Sequence, residues 1–600
     1  MESIKINKYL SAFIACCVCA AALSALAFVV ALNNPATGYE LSIYSSTPLA
    51  VWILLTVSYF LCITLLIQES THKDQSNRWI IALALLMINS MLILEMSAIR
   101  GYYTIGGDAL MHIGYIRDMS NGIISDKNMY PIIHIGPAIL VKAGLAPSVA
   151  LSLSPVLWYL IYVASGYKLV SYLWKEKSKV IIASTLIALP MLPHGVGIVA
   201  VLLGASTFPL VLLVVIGFHQ THSWTHRLMY IAGYVVLWIT MALLYPVALE
   251  ATVICFGVGF IILRGNRWEI PVLIIVAAVT VWWYEVWYNM QLAGDFIADI
   301  LRNTSPSERS AMIMGTPDGY PAPVVFNPEQ QVVDITEQAT LLPTMTGIED
   351  TQTMGSYNGV ALILLRFGSA VVLGIIATWN VLTAKLSWKT PRTLFISLFV
   401  IFNLMWLTGW YLQLNSFSAA LTRIMYWVPT LSILLVVPLV HRMHKSILIA
   451  GLMILAISSS TVVYASPITG VSSAQITQQE MTGMRCLLKN SNKETYIVFL
   501  NHQRVSRYVA AIYGVERVRQ EQRYYWLTQY EPSRGLFSYN DFSSLGDKYL
   551  SDVYLVITKS DRVLPRWEED RLYLVESDPA ARLIYRYGDE FEVWYVKGNK

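Results

Sequence analysis

The chain has 600 residues, of which 56% are hydrophobic and 13% charged, and its mean hydropathy is +0.53. These values exclude an ordinary soluble protein and indicate a polytopic membrane protein. The formal net charge of +4 gives no reason to expect a nucleic acid partner. Five of the six cysteines lie in apolar segments, so they predict no disulfide framework.

Thirteen apolar segments are candidates to cross the ~30 Å hydrocarbon layer of a membrane. They lie near residues 9–32, 49–67, 79–97, 148–171, 179–193, 198–218, 228–244, 248–264, 268–288, 359–384, 393–411, 421–440 and 446–464. The stretch 132–147 is apolar but short, and we interpret it as interfacial or re-entrant. The predicted fold class is mainly α, a bundle of about thirteen transmembrane helices.

Positive charge alternates between the connections of these segments. Four short connections, near 33–48, 194–197, 245–247 and 412–420, contain no Lys or Arg. The alternate connections, on the opposite side, carry fifteen, namely Lys5, Lys8, Lys73, Arg78, Lys175, Lys177, Lys179, Arg227, Arg264, Arg267, Lys385, Lys389, Arg392, Arg442 and Lys445. Cytoplasmic connections are the basic ones. We therefore expect a multi-pass cell membrane protein with a cytoplasmic N-terminus.

The predicted domains are a membrane part, 1–464, and a soluble part, 465–600. Two outer loops of the membrane part are large, about 98–147 and 289–358. In the soluble part, strands are expected near 495–500, 549–558, 583–587 and 590–596, and a short helix at 503–513. An odd number of spans predicts that this small α/β domain lies outside the cell. It carries no phosphate loop, zinc spacing or nucleophile elbow, so a supporting role is expected.

The first large loop contains Gly-Gly-Asp-Ala-Leu-Met-His at residues 106–112. Asp108 and His112 are four residues apart, so on a helix they share one face. A carboxylate there is a candidate general base, with the imidazole near a phosphate or a metal ion. The competing interpretation is that Asp108 only caps a helix and His112 is a surface residue.

Arg423 begins an apolar span, where a guanidinium is suited to bind a lipid phosphate. The alternative is an arginine that snorkels to the interface. Other polar residues on the predicted outer side are candidates to line a cavity. They are Tyr130, His134, His194, Glu250, Glu285 and Glu337. Glu250 and Glu285 are equally interpretable as structural partners of Arg366 or Arg423.

These motifs resemble the GT-C superfamily of polytopic membrane glycosyltransferases, especially its archaeal members. The matching residues are Asn-Pro-Ala-Thr-Gly-Tyr-Glu-Leu-Ser-Ile-Tyr at 34–44, Gly107-Asp108, His112, Gly122 and Tyr130-Pro131. The resemblance covers roughly residues 1–220 and the Arg423 span. It implies that Asp108 is the essential acidic residue of the outer loop.

The general plan is also similar to the catalytic subunit of oligosaccharyltransferase, and Ile335-Thr336-Glu337 resembles a loop motif of that family. Two features differ. The Trp-Trp-Asp-Tyr-Gly motif is absent, and the loop at 193–197 lacks a metal-binding acidic pair. Transfer of one sugar from a polyprenyl- or dolichol-phosphate carrier to a lipid-linked glycan or protein acceptor therefore fits better than transfer of a whole glycan.

The expected reaction inverts the sugar carbon, with Asp108 as base and Arg423 and His112 on the donor phosphate. A divalent cation is compatible but optional, because phosphate is already a fair leaving group and electrostatic positioning supplies most of the help. Two alternatives remain open. One is an oligosaccharyltransferase-like or polymerase-like enzyme that moves a lipid-diphosphate glycan, and the other is a non-enzymatic transporter or flippase of lipid-linked sugars.

Overall fold

The structure, a computed structural model, describes residues 2–72, 76–124, 128, 130–190, 200–221, 223–244, 246–263, 359–383, 390–412, 423–466, 473–492, 495–499, 505–520, 544–548, 552–563 and 572–598. The predicted span 268–288 and the predicted outer loop 289–358 lie outside these residues. Three candidate residues, His194, Glu285 and Glu337, also lie outside them.

The first part of the chain folds into helices, with one short strand between α5 and α6. These elements are α1 Glu2–Leu32, α2 Ile43–Ser46, α3 Leu49–Thr71, α4 Trp79–Leu94, α5 Met96–Ile99, β1 Thr104–Ile105, α6 Gly107–Ser120, α7 Pro131–Lys142, α8 Pro147–Ser152, α9 Ser154–Leu173, α10 Lys177–Ala188, α11 Ala200–Ser206, α12 Phe208–Gln220, α13 Trp224–Leu244 and α14 Pro246–Leu263. The later helices of the membrane part are Gly359–Thr383, Pro391–Leu412, the 3₁₀ helix Ile424–Trp427, Val428–Val440 and Lys445–Ser460.

Five helical segments among the described residues are long and apolar enough to cross a membrane, and seven further apolar segments are shorter, with Pro147–Leu173 and Ile424–Val440 each counted as one segment. A mainly α membrane protein is therefore supported, although these lengths do not establish thirteen crossings. Helix α7 has 12 residues. At 1.5 Å per residue it spans about 18 Å, which is too short to cross the hydrocarbon layer.

Three predicted spans are interrupted, each just before a proline. The interruptions follow Ser152, Ser206 and Trp427, and the next helix carries a proline in its first positions. Proline suits the first turn of a helix, where its missing N–H leaves no hydrogen bond unmade, but it disrupts a helix interior. The predicted spans 148–171, 198–218 and 421–440 therefore each comprise two helical pieces.

Residues assigned to the cytoplasmic side by charge lie together. The buried carboxylate of Glu69 accepts a hydrogen bond from the Tyr9 hydroxyl at 3.0 Å and one from Lys177 Nζ at 3.3 Å. Arg78 Nε lies 3.8 Å from the same carboxylate. A buried carboxylate needs such partners to offset its desolvation. The ends of α1, α3, α4 and α10 therefore meet around one charge.

Residues assigned to the outer side meet around a second buried charge. Arg100, 3% exposed, donates two hydrogen bonds to the carboxylate of Glu40, at 2.6 and 2.8 Å. The Tyr102 hydroxyl donates to the same carboxylate at 2.5 Å. Arg100 Nε also donates to the carbonyl of Asn34 at 3.1 Å. These contacts hold the connection between α1 and α3 against the end of α5.

The C-terminal part contains a four-stranded sheet in the order β3-β4-β6-β5. Only β3 and β4 are parallel, and the other neighbours are antiparallel. Its elements are β2 Gln475–Ile476, the helix Gln478–Asn490, β3 Tyr496–Phe499, the helices Val505–Tyr513, Val515–Gln520 and Leu545–Lys548, β4 Val553–Thr558, the helix Lys559–Val563, the 3₁₀ helix Leu572–Ser577, β5 Ala581–Tyr587 and β6 Phe591–Val596. The predicted strands and the helix at 503–513 are confirmed, with small shifts in their ends.

This domain is joined to the membrane part by backbone pairing. Strand β1 of the membrane part pairs antiparallel with β2, with Thr104 opposite Ile476. The backbone N–H of Tyr39 donates to the Glu590 carboxylate at 2.8 Å. Glu590 also pairs with Lys559 at 2.9 Å. The domain therefore rests on the two connections that precede α2 and α6.

The two parts also pack helix on helix. A methyl group at Gly114 of α6 would lie 2.8 Å from the carbonyl oxygen of Ala510, in the helix Val505–Tyr513. Arg117 Nε donates to the Ala511 carbonyl at 3.2 Å. The Asp118 carboxylate accepts from the backbone N–H of Glu516 at 2.9 Å, at the start of the next helix. Helix α6 is therefore fixed against the C-terminal domain along its length.

Replacing Gly114 tests this packing. We expect Gly114→Ala to destabilise the protein by about 1–3 kcal/mol, because the backbone carbonyl facing it cannot rotate away as a side chain can. Gly451→Ala is the matched control, since nothing lies within 4 Å of the added methyl group. The measurement is the unfolding midpoint in a denaturant titration of the detergent-solubilised protein. Equal midpoints for both variants would contradict the close contact.

Candidate functional site

Asp108 lies in the first turn of α6. The residue preceding the helix is Gly106, whose φ of +84° suits glycine, and it provides no side-chain cap. The interpretation of Asp108 as the helix cap is therefore wrong. Its side chain is 64% exposed. A carboxylate at this position also interacts favourably with the positive end of the helix dipole.

The nearest charged partner of Asp108 comes from the other domain. Arg507 Nη2 lies 2.6 Å from Asp108 Oδ1, and the Arg507 side chain is 22% exposed. Exposed ion pairs usually contribute about 0–1 kcal/mol to stability. The packing around Gly114 and the hydrogen bonds of Arg117 and Asp118 hold the domain independently of this pair. The Asp108–Arg507 contact is therefore not what the docking mainly depends on.

His112 is paired with His134 of α7. Its Nδ1 lies 2.8 Å from His134 Nε2, and the ring centroids are 5.0 Å apart. This hydrogen bond needs one donor and one acceptor, so the two facing nitrogens cannot both carry protons. The ring of Tyr115 lies 5.2 Å from the His134 ring. His134 is completely buried, and within the described part of the chain its Nδ1 has no hydrogen-bond partner.

Burial decides the charge of His112. Desolvation lowers its pKa to about 4, and the neighbouring Asp108 acts weakly in the opposite direction. His112 is therefore neutral at pH 7. A neutral imidazole can donate an N–H to a phosphate oxygen, but it adds no positive charge to the site.

The other candidates lie on different elements. Arg423 precedes the 3₁₀ helix Ile424–Trp427, which packs against α11, Pro391–Leu412 and Val428–Val440. Glu250 is half-buried in α14, which packs against α12, α13 and Pro391–Leu412. Tyr130 precedes α7, and its backbone N–H donates to Asn128 Oδ1 at 3.2 Å.

The structure thus brings Asp108, His112 and His134 together on α6 and α7. It adds Arg507 and Tyr115, which the sequence analysis did not name. Tyr115 follows Asp108 by seven residues, so helical spacing was a usable signal for it. Nothing in the spacing of the chain links Arg507 to Asp108. Within the described ranges, no group of three or more His, Cys, Asp and Glu side chains is arranged to hold a metal ion.

The desolvation of the His112 imidazole gives a prediction on pH. The folded-state pKa of His112 lies below the usual 6.5. Between these two pKa values the unfolded chain binds a proton at His112 and the folded chain does not. We expect stability to fall as the pH drops from about 6.5 towards 4, with a slope of at most about 1.4 kcal/mol per pH unit from this group. His112→Gln is expected to remove the part of this pH dependence that comes from His112. The measurement is the difference between the unfolding midpoints of wild type and variant across this pH range.

The exposed His226, replaced by Gln, controls for the loss of an imidazole as such. Parallel pH profiles for wild type and His112→Gln would show that His112 is not desolvated in the folded protein.

Comparison with known proteins identifies no relative of this chain. No model of a known protein family matches the sequence, and no curated protein matches it.

Proposed function

We propose that the protein is a membrane glycosyltransferase of the GT-C type. It transfers a sugar from a polyprenyl- or dolichol-phosphate donor to a lipid-linked glycan or another acceptor, on the outer face of the membrane. Asp108 removes the proton of the acceptor hydroxyl, and the sugar carbon is inverted. Arg423 binds the donor phosphate from the membrane part.

The observation that carries this proposal is the position of Asp108. Its carboxylate is mostly exposed and lies where the membrane part meets a water-soluble domain. A lipid-linked donor keeps its phosphate and sugar at this boundary, whereas its tail needs apolar surface. A polar acceptor reaches the same boundary from water. An accessible carboxylate at this place suits a general base, which must lie within hydrogen-bond reach of the acceptor hydroxyl.

The proposed threading has about thirteen crossings and an external C-terminal domain. Two observations support it. The fifteen basic residues of alternate connections favour a cytoplasmic position for those connections. Connections assigned to the same side also contact each other, around Glu69 on one side and around Glu40 on the other.

Replacing the proposed base tests the reaction. Purified Asp108→Asn is expected to transfer labelled sugar from a polyprenyl-phosphate donor at least ~10²-fold more slowly than wild type, because loss of a general base usually has an effect of this size. Expression and solubility in detergent are expected to stay normal. Asp589→Asn is the control, since Asp589 is also an exposed carboxylate paired with a cation, Lys559 at 2.9 Å.

Normal transfer by Asp108→Asn would remove this residue from the mechanism. If the wild-type protein moves the lipid-linked sugar across a vesicle membrane without transferring the sugar to an acceptor, it is instead a transporter.

The side of the membrane is tested through Cys486, a half-buried thiol in the C-terminal domain. We expect a membrane-impermeant thiol reagent to label it on intact cells, because the threading places the domain outside. Cys486→Ser is the control for labelling of any other cysteine. Labelling only after the membrane is permeabilised would invert the threading and move Asp108 to the cytoplasmic side.

A further inference from the structure

The C-terminal domain places one cation directly at the proposed base. Arg507 Nη2 lies 2.6 Å from Asp108 Oδ1, in a pair whose carboxylate side is open to solvent. Arg423, by contrast, precedes a 3₁₀ helix packed against α11 and two helices of the membrane part. Arg507 is thus the arginine whose contact with Asp108 is established.

Arg507 is presented from a rigid helix. The next residue, Tyr508, is completely buried, stacks on Phe499 with ring centroids 5.0 Å apart, and donates a hydrogen bond to Glu480. Ala510, in the next turn of the same helix, is packed against Gly114 of α6. A cation fixed in this way loses less conformational freedom when it binds an anion, so its position is preorganised.

The guanidinium of Arg507 has more hydrogen-bond donors than a contact with one carboxylate uses. It carries five N–H donors in a planar fork that matches phosphate oxygens. The observed contact with Asp108 is made by Nη2. We propose that Arg507 binds the phosphate of the lipid-linked donor, so that the C-terminal domain supplies part of the active site. This inference rests on the proposed function for the identity of the donor.

The reaction explains why a cation is needed there. The acceptor oxygen forms a bond to the anomeric carbon, the bond from that carbon to the phosphate oxygen breaks, and its electron pair stays on the phosphate. The acceptor proton goes to Asp108. The lipid phosphate changes from a singly charged diester to a doubly charged monoester, so Arg507 binds it more strongly as the bond breaks. Binding that strengthens towards the transition state accelerates the reaction.

The test measures binding separately from transfer. The full-length detergent-purified protein is titrated with farnesyl monophosphate, which carries the product phosphate on a short prenyl chain, and with uncharged farnesol. Arg507→Ala is expected to weaken binding of the monophosphate about tenfold or more and to leave farnesol unchanged. Arg507→Lys keeps the charge but not the planar fork of donors. Its affinity for farnesyl monophosphate is therefore expected to lie between those of wild type and Arg507→Ala.

Arg562→Ala is the matched control, because Arg562 in the same domain makes a 2.6 Å pair with Glu592 and has a similarly buried side chain. It is expected to bind both probes like wild type. Unfolding midpoints of all variants show whether the domain stays docked, and Arg507→Lys carries the test if Arg507→Ala does not fold. Wild-type affinity of the Arg507 variants for farnesyl monophosphate would overturn the proposal.

Two further arms separate the possible outcomes. Dioleoyl phosphatidate carries a phosphomonoester without a prenyl chain. If it does not displace farnesyl monophosphate, a prenyl carrier is supported. Full displacement would overturn the assignment of a prenyl carrier. The transfer assay separates this inference from the proposed function. If the protein binds farnesyl monophosphate through Arg507 but transfers no sugar, the phosphate site is supported and the proposed glycosyltransferase activity is wrong. Transfer at full rate by Arg507→Ala removes only the role of Arg507.

Discussion

The close contact between α6 and the helix Val505–Tyr513 is the constraint on which the candidate site depends. Glycine at position 114 allows the backbone of α6 to approach the Ala510 carbonyl. The hydrogen bonds from Arg117 and to Asp118 then fix the rotation and the register of the two helices. With both fixed, Asp108 at the start of α6 lies beside Arg507. The site is therefore made by docking rather than by either part alone.

Buried charge organises both ends of the membrane part. Arg100 with Glu40 and Lys177 with Glu69 each join connections that are distant in sequence. Loss of one partner from such a pair leaves an uncompensated buried charge, which is strongly destabilising. Arrangements of the helices that separate either pair are therefore disfavoured. The His112–His134 pair differs, because it is neutral on the His112 side and leaves one imidazole nitrogen buried and unbonded within the described residues.

Local patterns in the sequence predicted most elements, but contacts between distant residues did not follow from them. Hydropathy located the long apolar helices, and strand composition located β3 to β6, because each signal is contained in a few neighbouring residues. The breaks before Pro155, Pro209 and Pro429 were readable from the same residues but were overridden by the apolar pattern. Asp108 was singled out as a charged residue in a predicted outer loop. Its pairing with Arg507 was not predictable, because it depends on how two separately folded parts meet.

The separation of Asp108 and Arg507 by about 400 residues has a consequence for biosynthesis. At a synthesis rate of roughly 5–20 residues per second, the ribosome needs roughly 20–80 s to reach Arg507 after Asp108. During that interval α6 is already made, while the helices Val505–Tyr513 and Val515–Gln520 that dock on it do not yet exist. A chain released early would carry Asp108 without its cation. The order of synthesis thus keeps the two charges apart until Arg507 has been made.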